Sequence, residues 1–179
     1  MRLFIAVNFS DEIKSRILLL QDKLRSRALR GNFTRQENLH LTLAFLGETP
    51  GEKLDCLYSM LSGIKAAPFE IRFNHTGCFT HSRKELWWIG ADKNSTGVML
   101  LDAIHEQLLG LLLEAGFSVD TRPFRAHITL GREIKKSESI TLACPEILVQ
   151  VRRISLMQSE HKMGQLSYTE LFGQDLSFS

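Results

Sequence analysis

A chain of 179 residues, 44% hydrophobic and 23% charged, has an ordinary globular composition and can bury one core within a single domain spanning 1–179. Its net charge of +2 permits an anionic partner without demanding one. Cys56, Cys78 and Cys144 without C-x-x-C spacing, no leader-like start and no apolar run near the ~20 residues of a membrane span argue against disulfide-framed, secreted and membrane classes, so a cytoplasmic monomer with no membrane partner is expected.

Residues 2–9 read as a buried strand. Ser10 then caps a helix with Asp11 and Glu12 in its first turn, the favourable charge for that end. Ile13, Ile17, Leu20 and Leu24 form one apolar stripe, and the helix is predicted to run to about Leu29 and stop at Gly31-Asn32. Residues 39–46 alternate as a strand. Thr49-Pro50-Gly51-Glu52 reads as a capping box, with Leu54, Leu57, Leu61 and Ile64 on the buried face of the helix it opens. Phe69, Ile71 and Phe73 alternate as the next strand, after which His75 and His81 flank a turn at Gly77-Cys78-Phe79. Residues 85–91 form another strand, with Trp87 and Trp88 on opposite faces. Ser95 or Thr96 starts a helix that ends at Gly116 and carries His105 on its surface. Val119 to Leu130 is read as a strand, Glu133–Ser139 as a polar connection. Ile147, Val149 and Val151 alternate, and Ile154 and Leu156 resume on a shifted phase, which places a bulge near Arg152-Arg153. Leu166 and Tyr168 close with a last strand, giving the order β-α-β-α-β-β-α-β-β-β.

One phrase occurs twice in this pattern. Residues 40–43 read His40-Leu41-Thr42-Leu43, and residues 127–130 read His127-Ile128-Thr129-Leu130. With six histidines and ten threonines, about 0.3 His-x-Thr matches are expected by chance, so a pair of them stands out. Alternation puts each His and Thr on one strand face, roughly 6.6 Å apart, a span that holds one tetrahedral anion. A long helix precedes each copy, so the duplication extends beyond four residues. Two similar halves would bring the motifs together at a pseudo-two-fold cleft.

The chemistry suited to such a pair is proton transfer at phosphorus. Imidazole titrates near 6.5, so one ring can act as base while the other acts as acid. In-line displacement needs those two functions on opposite sides of the phosphoryl group. Threonine hydroxyls and nearby arginines would hold the non-bridging oxygens. The scheme requires no metal or other cofactor.

These residues resemble the 2H phosphoesterases, most closely the bacterial and archaeal 2′-5′ RNA ligase-like RNA 2′,3′-cyclic phosphodiesterases. Arg2-Leu3-Phe4-Ile5-Ala6-Val7 is similar to the family's opening strand. Asn38-Leu39-His40-Leu41-Thr42-Leu43-Ala44-Phe45-Leu46-Gly47-Glu48 resembles its first motif. Phe124-Arg125-Ala126-His127-Ile128-Thr129-Leu130-Gly131-Arg132 resembles the second, with Ala126 and Gly131 in place of a usual Pro and a usual Ala. Leu156-Met157-Gln158-Ser159 and Gly164-Gln165-Leu166-Ser167-Tyr168 are similar to the closing strands.

The resemblance implies an α+β, bilobal fold, with two pseudo-symmetric antiparallel-rich β-sheets and outer helices around a central cleft. It implies a metal-independent hydrolase acting on RNA with a 2′,3′-cyclic phosphate end and leaving a 2′-phosphomonoester, with reversal to 2′-5′ ligation in several relatives. His40 would protonate the departing 3′ oxygen and His127 would activate water, although the roles could be exchanged. Thr42 and Thr129 would bind phosphate oxygens, and Arg125 or Arg132 would add positive charge. Competing readings are a cyclic phosphodiesterase on small nucleotides and a non-catalytic RNA- or nucleotide-binding module.

Overall fold

The computed structural model describes residues 1–81 and 84–177. Its elements are β1 (Arg2–Asn8), α1 (Asp11–Arg25), β2 (Arg30–Phe33), β3 (His40–Glu48), α2 (Leu54–Ser62), β4 (Phe69–His81), β5 (Lys84–Ala91), α3 (Thr96–Glu114), β6 (His127–Lys135), β7 (Ile147–Val151), β8 (Arg153–Lys162) and β9 (Gln165–Asp175). All strand pairs are antiparallel. The sheet order is β7-β4-β5-β6-β3-β1-β8-β9, with β2 added beside β6.

That order divides at the β6–β3 pair into two sets of four strands. β3, β1, β8 and β9 form one half, and β6, β5, β4 and β7 form the other. The two sheets expected from the duplication are the halves of one curled sheet, joined through the pair Leu41 and Ile128. Both of these side chains are fully buried. Burial of that kind stabilises by roughly 1.5–3 kcal/mol per side chain, which holds the halves in register. Beyond that pair β3 and β6 diverge, and β2 takes up the hydrogen-bonding edge of β6 through Asn32 and Phe33 opposite Arg132 and Gly131.

Several local readings change. Helix α1 stops at Arg25 with Ser26 as its cap, because the Leu29 N–H is drawn to the Lys135 carbonyl at 2.8 Å as β2 begins. Ser10 and Ser95 cap α1 and α3 as expected, and Gly116 adopts φ +73° after α3. The Thr49 capping box does not form. The Thr49 side chain donates to the Gly47 carbonyl, while its backbone exchanges hydrogen bonds with Met1. Residues 119–126 are irregular rather than a strand, and β6 instead extends through Glu133–Lys135. The phase change near Arg152-Arg153 is no bulge: β7 pairs with β4 and β8 pairs with β1, so the chain crosses there between the halves.

Helix α3 is, by length and composition, apolar enough to cross a membrane, contrary to the sequence expectation. It lies on the sheet, however, with Val98, Leu101, Ile104, Leu108 and Leu112 buried in the core. A Cβ on Gly97 would stand 1.8 Å from the Glu70 carbonyl oxygen, so the first turn rests directly on β4.

Candidate active site

Leu41 and Ile128 are the apolar residues between His and Thr in each motif, and their pairing sets the two motifs side by side. Alternation turns those two into the core and leaves His40, Thr42, His127 and Thr129 on the other face. All four line one cleft of about 220 Å³, together with Asn38, Phe45, Arg132 and Tyr168.

Each motif strand carries an extra residue at the equivalent position. Against β1, pairing passes from Ala6–Thr42 to Ile5–Ala44, leaving Leu43 unopposed. Against β5, it passes from Trp88–Thr129 to Trp87–Gly131, leaving Leu130 unopposed. A bulge shifts the alternation by one residue. Phe45 and Arg132 therefore rejoin the face of the His and Thr residues and enter the cleft. Arg125 does not. It precedes β6 and lines the adjoining larger cavity, with its guanidinium 6.0 Å from the Phe79 ring centroid.

Both imidazoles are anchored by backbone carbonyls. His40 Nδ1–H donates to the Asn38 carbonyl at 2.7 Å, and His127 Nδ1–H donates to the Arg125 carbonyl at 2.6 Å. A carbonyl can only accept, so each neutral ring keeps its proton on Nδ1 and a lone pair on Nε2. The Thr42 hydroxyl donates to His40 Nε2 at 2.8 Å. Aromatic rings wall in both histidines. Phe4 and Tyr168 lie 4.9 and 5.3 Å from His40, whereas Phe79 and Trp88 lie 6.0 and 6.3 Å from His127.

The tighter enclosure perturbs His40 strongly. Burial, against the opposing pull of the Asn38 carbonyl and aided by the positive fields of Arg132, His127 and Lys14, lowers its pKa from 6.5 to about 4. Burial lowers that of His127 as well, opposed by the Arg125 carbonyl and aided by Arg132. Arg132 thus bears on both rings, whereas Arg35, which also lines the cleft, is paired with Glu37. An anion seated there would pull both rings back toward protonation.

Other histidines are placed differently from expectation. The segment Gly77-Cys78-Phe79 is part of β4 rather than a turn. His75 stands edge-on to Trp88 in a neighbouring cavity of about 330 Å³ that also reaches His127. The His81 side chain lies outside the described residues. His105 is buried, not exposed, and donates from Nδ1 to the Leu43 carbonyl at 3.0 Å. Sequence reasoning also left Tyr168 and the Asn38 carbonyl without site roles. Their only signal was adjacency to the motif or membership of a closing strand.

Two His-x-Thr strands facing one small cleft that Arg132 and Arg35 also line define a site for acid/base chemistry on a phosphoester. The LigT like phosphoesterase family model matches residues 7–88. An RNA 2′,3′-cyclic phosphodiesterase of Archaeoglobus fulgidus is 34% identical over 156 residues, 87% of this chain and 81% of the relative. One from Escherichia coli K12 is 30% identical over 172 residues, 95% and 93% of the two chains. The crystal structure of Escherichia coli LigT complexed with 3′-AMP superposes with TM-score 0.86 at 29% identity, covering 99% of this chain and 98% of that one. The chain belongs to the LigT-like phosphoesterase family.

Proposed function

We propose that this protein hydrolyses RNA 2′,3′-cyclic phosphate ends to 2′-phosphomonoesters, with His40 and His127 as the proton-transfer pair. The observation that carries the reading is the cleft itself. Two imidazoles whose Nδ1 protons are tied to carbonyls share about 220 Å³ with Thr42, Thr129 and Arg132. In the hydrolytic direction one ring takes a proton from water as its oxygen attacks phosphorus. The P–O3′ bond breaks, and the other ring supplies the proton that the departing 3′ oxygen needs. Proton return through solvent resets the pair. The same forward steps, with a 5′-hydroxyl in place of water as the nucleophile, join RNA ends by a 2′-5′ bond, and their reversal cleaves it.

Arg132 and the two threonine hydroxyls are assigned to the non-bridging oxygens. Oxygen contacts from a guanidinium are charge-assisted and oppose the growing negative charge. Arg125 is assigned instead to the rim of the larger cavity, about 530 Å³, which opens from Thr42, Phe45 and His127 and is walled by Phe79 and Phe124. A nucleoside fits there with its phosphate in the smaller cleft, and exposed aromatic faces suit an unstacked base. Among the described residues no three His, Cys, Asp or Glu side chains converge as a metal site, and the scheme draws its charges from imidazole and guanidinium.

The test is turnover of an oligoribonucleotide ending in a 2′,3′-cyclic phosphate, beside a cyclic mononucleotide, with EDTA present. Faster turnover of the oligonucleotide supports the RNA-end reading. A preference for the mononucleotide would transfer the function to small nucleotides, and binding without turnover of either would leave a binding module.

A further inference from the structure

Each helix that follows a central strand sends one buried polar side chain to the motif of the opposite half. Gln21 on α1 is 1% exposed among apolar neighbours Ile17, Leu20 and Leu24. Its amide donates to the Leu130 carbonyl at 2.8 Å and to the Thr34 carbonyl at 2.7 Å. Its Oε1 accepts from Arg25 at 3.3 Å. His105 on α3 is 9% exposed, donates to the Leu43 carbonyl and stacks on Phe124 at 4.3 Å with 15° between the rings. Burying an amide or imidazole in a core is unfavourable unless such partners are made.

The two acceptors are equivalent. Leu43 and Leu130 end the two motifs and are the unopposed residues of the two bulges. Those bulges bring Phe45 and Arg132 into the cleft. The second partner of each clamp lies just upstream of a carbonyl that orients a ring, a backbone acceptor in one case and a stacked ring in the other. Thr34 begins the short segment that ends at Asn38, whose carbonyl orients His40. Phe124 precedes Arg125, whose carbonyl orients His127. Gln21 therefore joins the second motif to the support of His40, and His105 joins the first motif to the support of His127.

We propose that Gln21 and His105 are a pseudo-symmetric pair of positioning residues that lock each motif's bulge to the segment aiming the opposite imidazole. The proposal builds on the phosphodiesterase reading, because its kinetic consequence is stated for that reaction. Neither side chain lines the small cleft; His105 also borders the larger cavity, and both bear on the rings through the carbonyls they hold. Between β3 and β6 themselves there is one backbone ladder pair; β2 adds three pairs to β6, and the Thr34 N–H donates to the Leu130 carbonyl at 2.9 Å, so the side-chain clamps act beside that ladder in keeping two rings in line across one phosphorus. Displacements of order 1 Å at such a site cost up to about 100-fold in rate.

The experiment uses the full chain and four variants. Gln21→Met keeps length and packing but removes the donor. His105→Phe keeps the stack on Phe124 but removes the donor. His105→Asn places an amide N–H near the position of Nδ1 and gives up the stack. His105→Leu removes both. Two readouts are taken: kcat and KM on the cyclic-phosphate oligonucleotide, and the pH titrations of the His40 and His127 ring protons by NMR.

Gln21→Met and His105→Phe are each expected to lose about 10- to 100-fold in kcat, with KM within about twofold in Gln21→Met, whose side chain lines neither cavity. His105→Asn should recover most of the rate lost by His105→Leu, and both ring titrations should move in Gln21→Met. Folded donor-less variants with wild-type kcat and unchanged titrations would overturn the proposal, as would His105→Asn no faster than His105→Leu. If the wild type fails to turn over the cyclic phosphate, the functional reading fails alone. The titrations then decide the clamp: shifted rings sustain it, and unshifted rings refute it.

Discussion

Replacing His40 with leucine should make the protein less sensitive to acid. His40 has a folded-state pKa of about 4 against an ordinary 6.5, so it is neutral in the fold and takes up a proton readily only on unfolding. The sign follows from linkage. Below pH 6.5 the unfolded chain binds the extra proton, so stability is complete above that pH and is lost as pH falls toward 4. A displacement of that size amounts to about 3 kcal/mol, a large fraction of the roughly 5–15 kcal/mol that holds a domain folded. His127 is lowered in the same direction and remains in the variant as a smaller contribution. The assay is urea unfolding of wild type and His40→Leu near pH 7.5 and at about pH 4.5. Wild type should lose about 2–3 kcal/mol more than the variant between those conditions. Equal losses in the two proteins would refute the buried, neutral ring.

Steady-state kinetics test three further consequences. With both free imidazoles lowered, kcat/KM should peak on the acid side of pH 6.5. The kcat profile should lie at higher pH, because the bound phosphate favours the charged rings. Coincident profiles centred above 7 would contradict this. Arg132→Met should lower kcat/KM by about 10- to 100-fold, as expected for a lost charge-assisted contact, while Arg125→Met should change it less. The reverse ranking would restore Arg125 to the phosphate. His40→Ala and His127→Ala should each cost about 10²–10⁴-fold in kcat, and the double variant far less than the product of the two. Multiplicative losses would mean that the rings act independently.

What the sequence made legible was whatever depends on local period and on the motif. His40, Thr42, His127 and Thr129 share a cleft because two-residue alternation alone determines their common face. The bulges were hidden, since Leu43-Ala44 and Leu130-Gly131 offer apolar residues to both faces, and an extra unpaired residue then leaves no break in the pattern. Without them, plain alternation puts Arg125 on the face of His127 and Arg132 on the opposite one, the reverse of what the cleft shows. His105 and Gln21 were illegible for a related reason. Helix α3 is apolar nearly all round, so the polar residue that points inward is decided by the carbonyl waiting for it at Leu43. Thr49 met every local requirement of a helix cap, but it is buried and bound to Met1 by backbone hydrogen bonds. Tertiary pairing prevailed over the local signal. The crossing at Arg152 was likewise invisible, because β7 and β8 each have the sequence of a strand and it is their partners that reveal the change of half.

The most direct test of the two-histidine site is hydrolysis of a cyclic-phosphate oligoribonucleotide by wild type and His127→Ala in EDTA, with the new end probed by a phosphatase specific for 3′-phosphates. The cleft predicts a 2′-phosphate that resists that phosphatase, formed by wild type and slowed about 10²–10⁴-fold in the variant. A 3′-phosphate product, or a variant that turns over as fast as wild type, would contradict it.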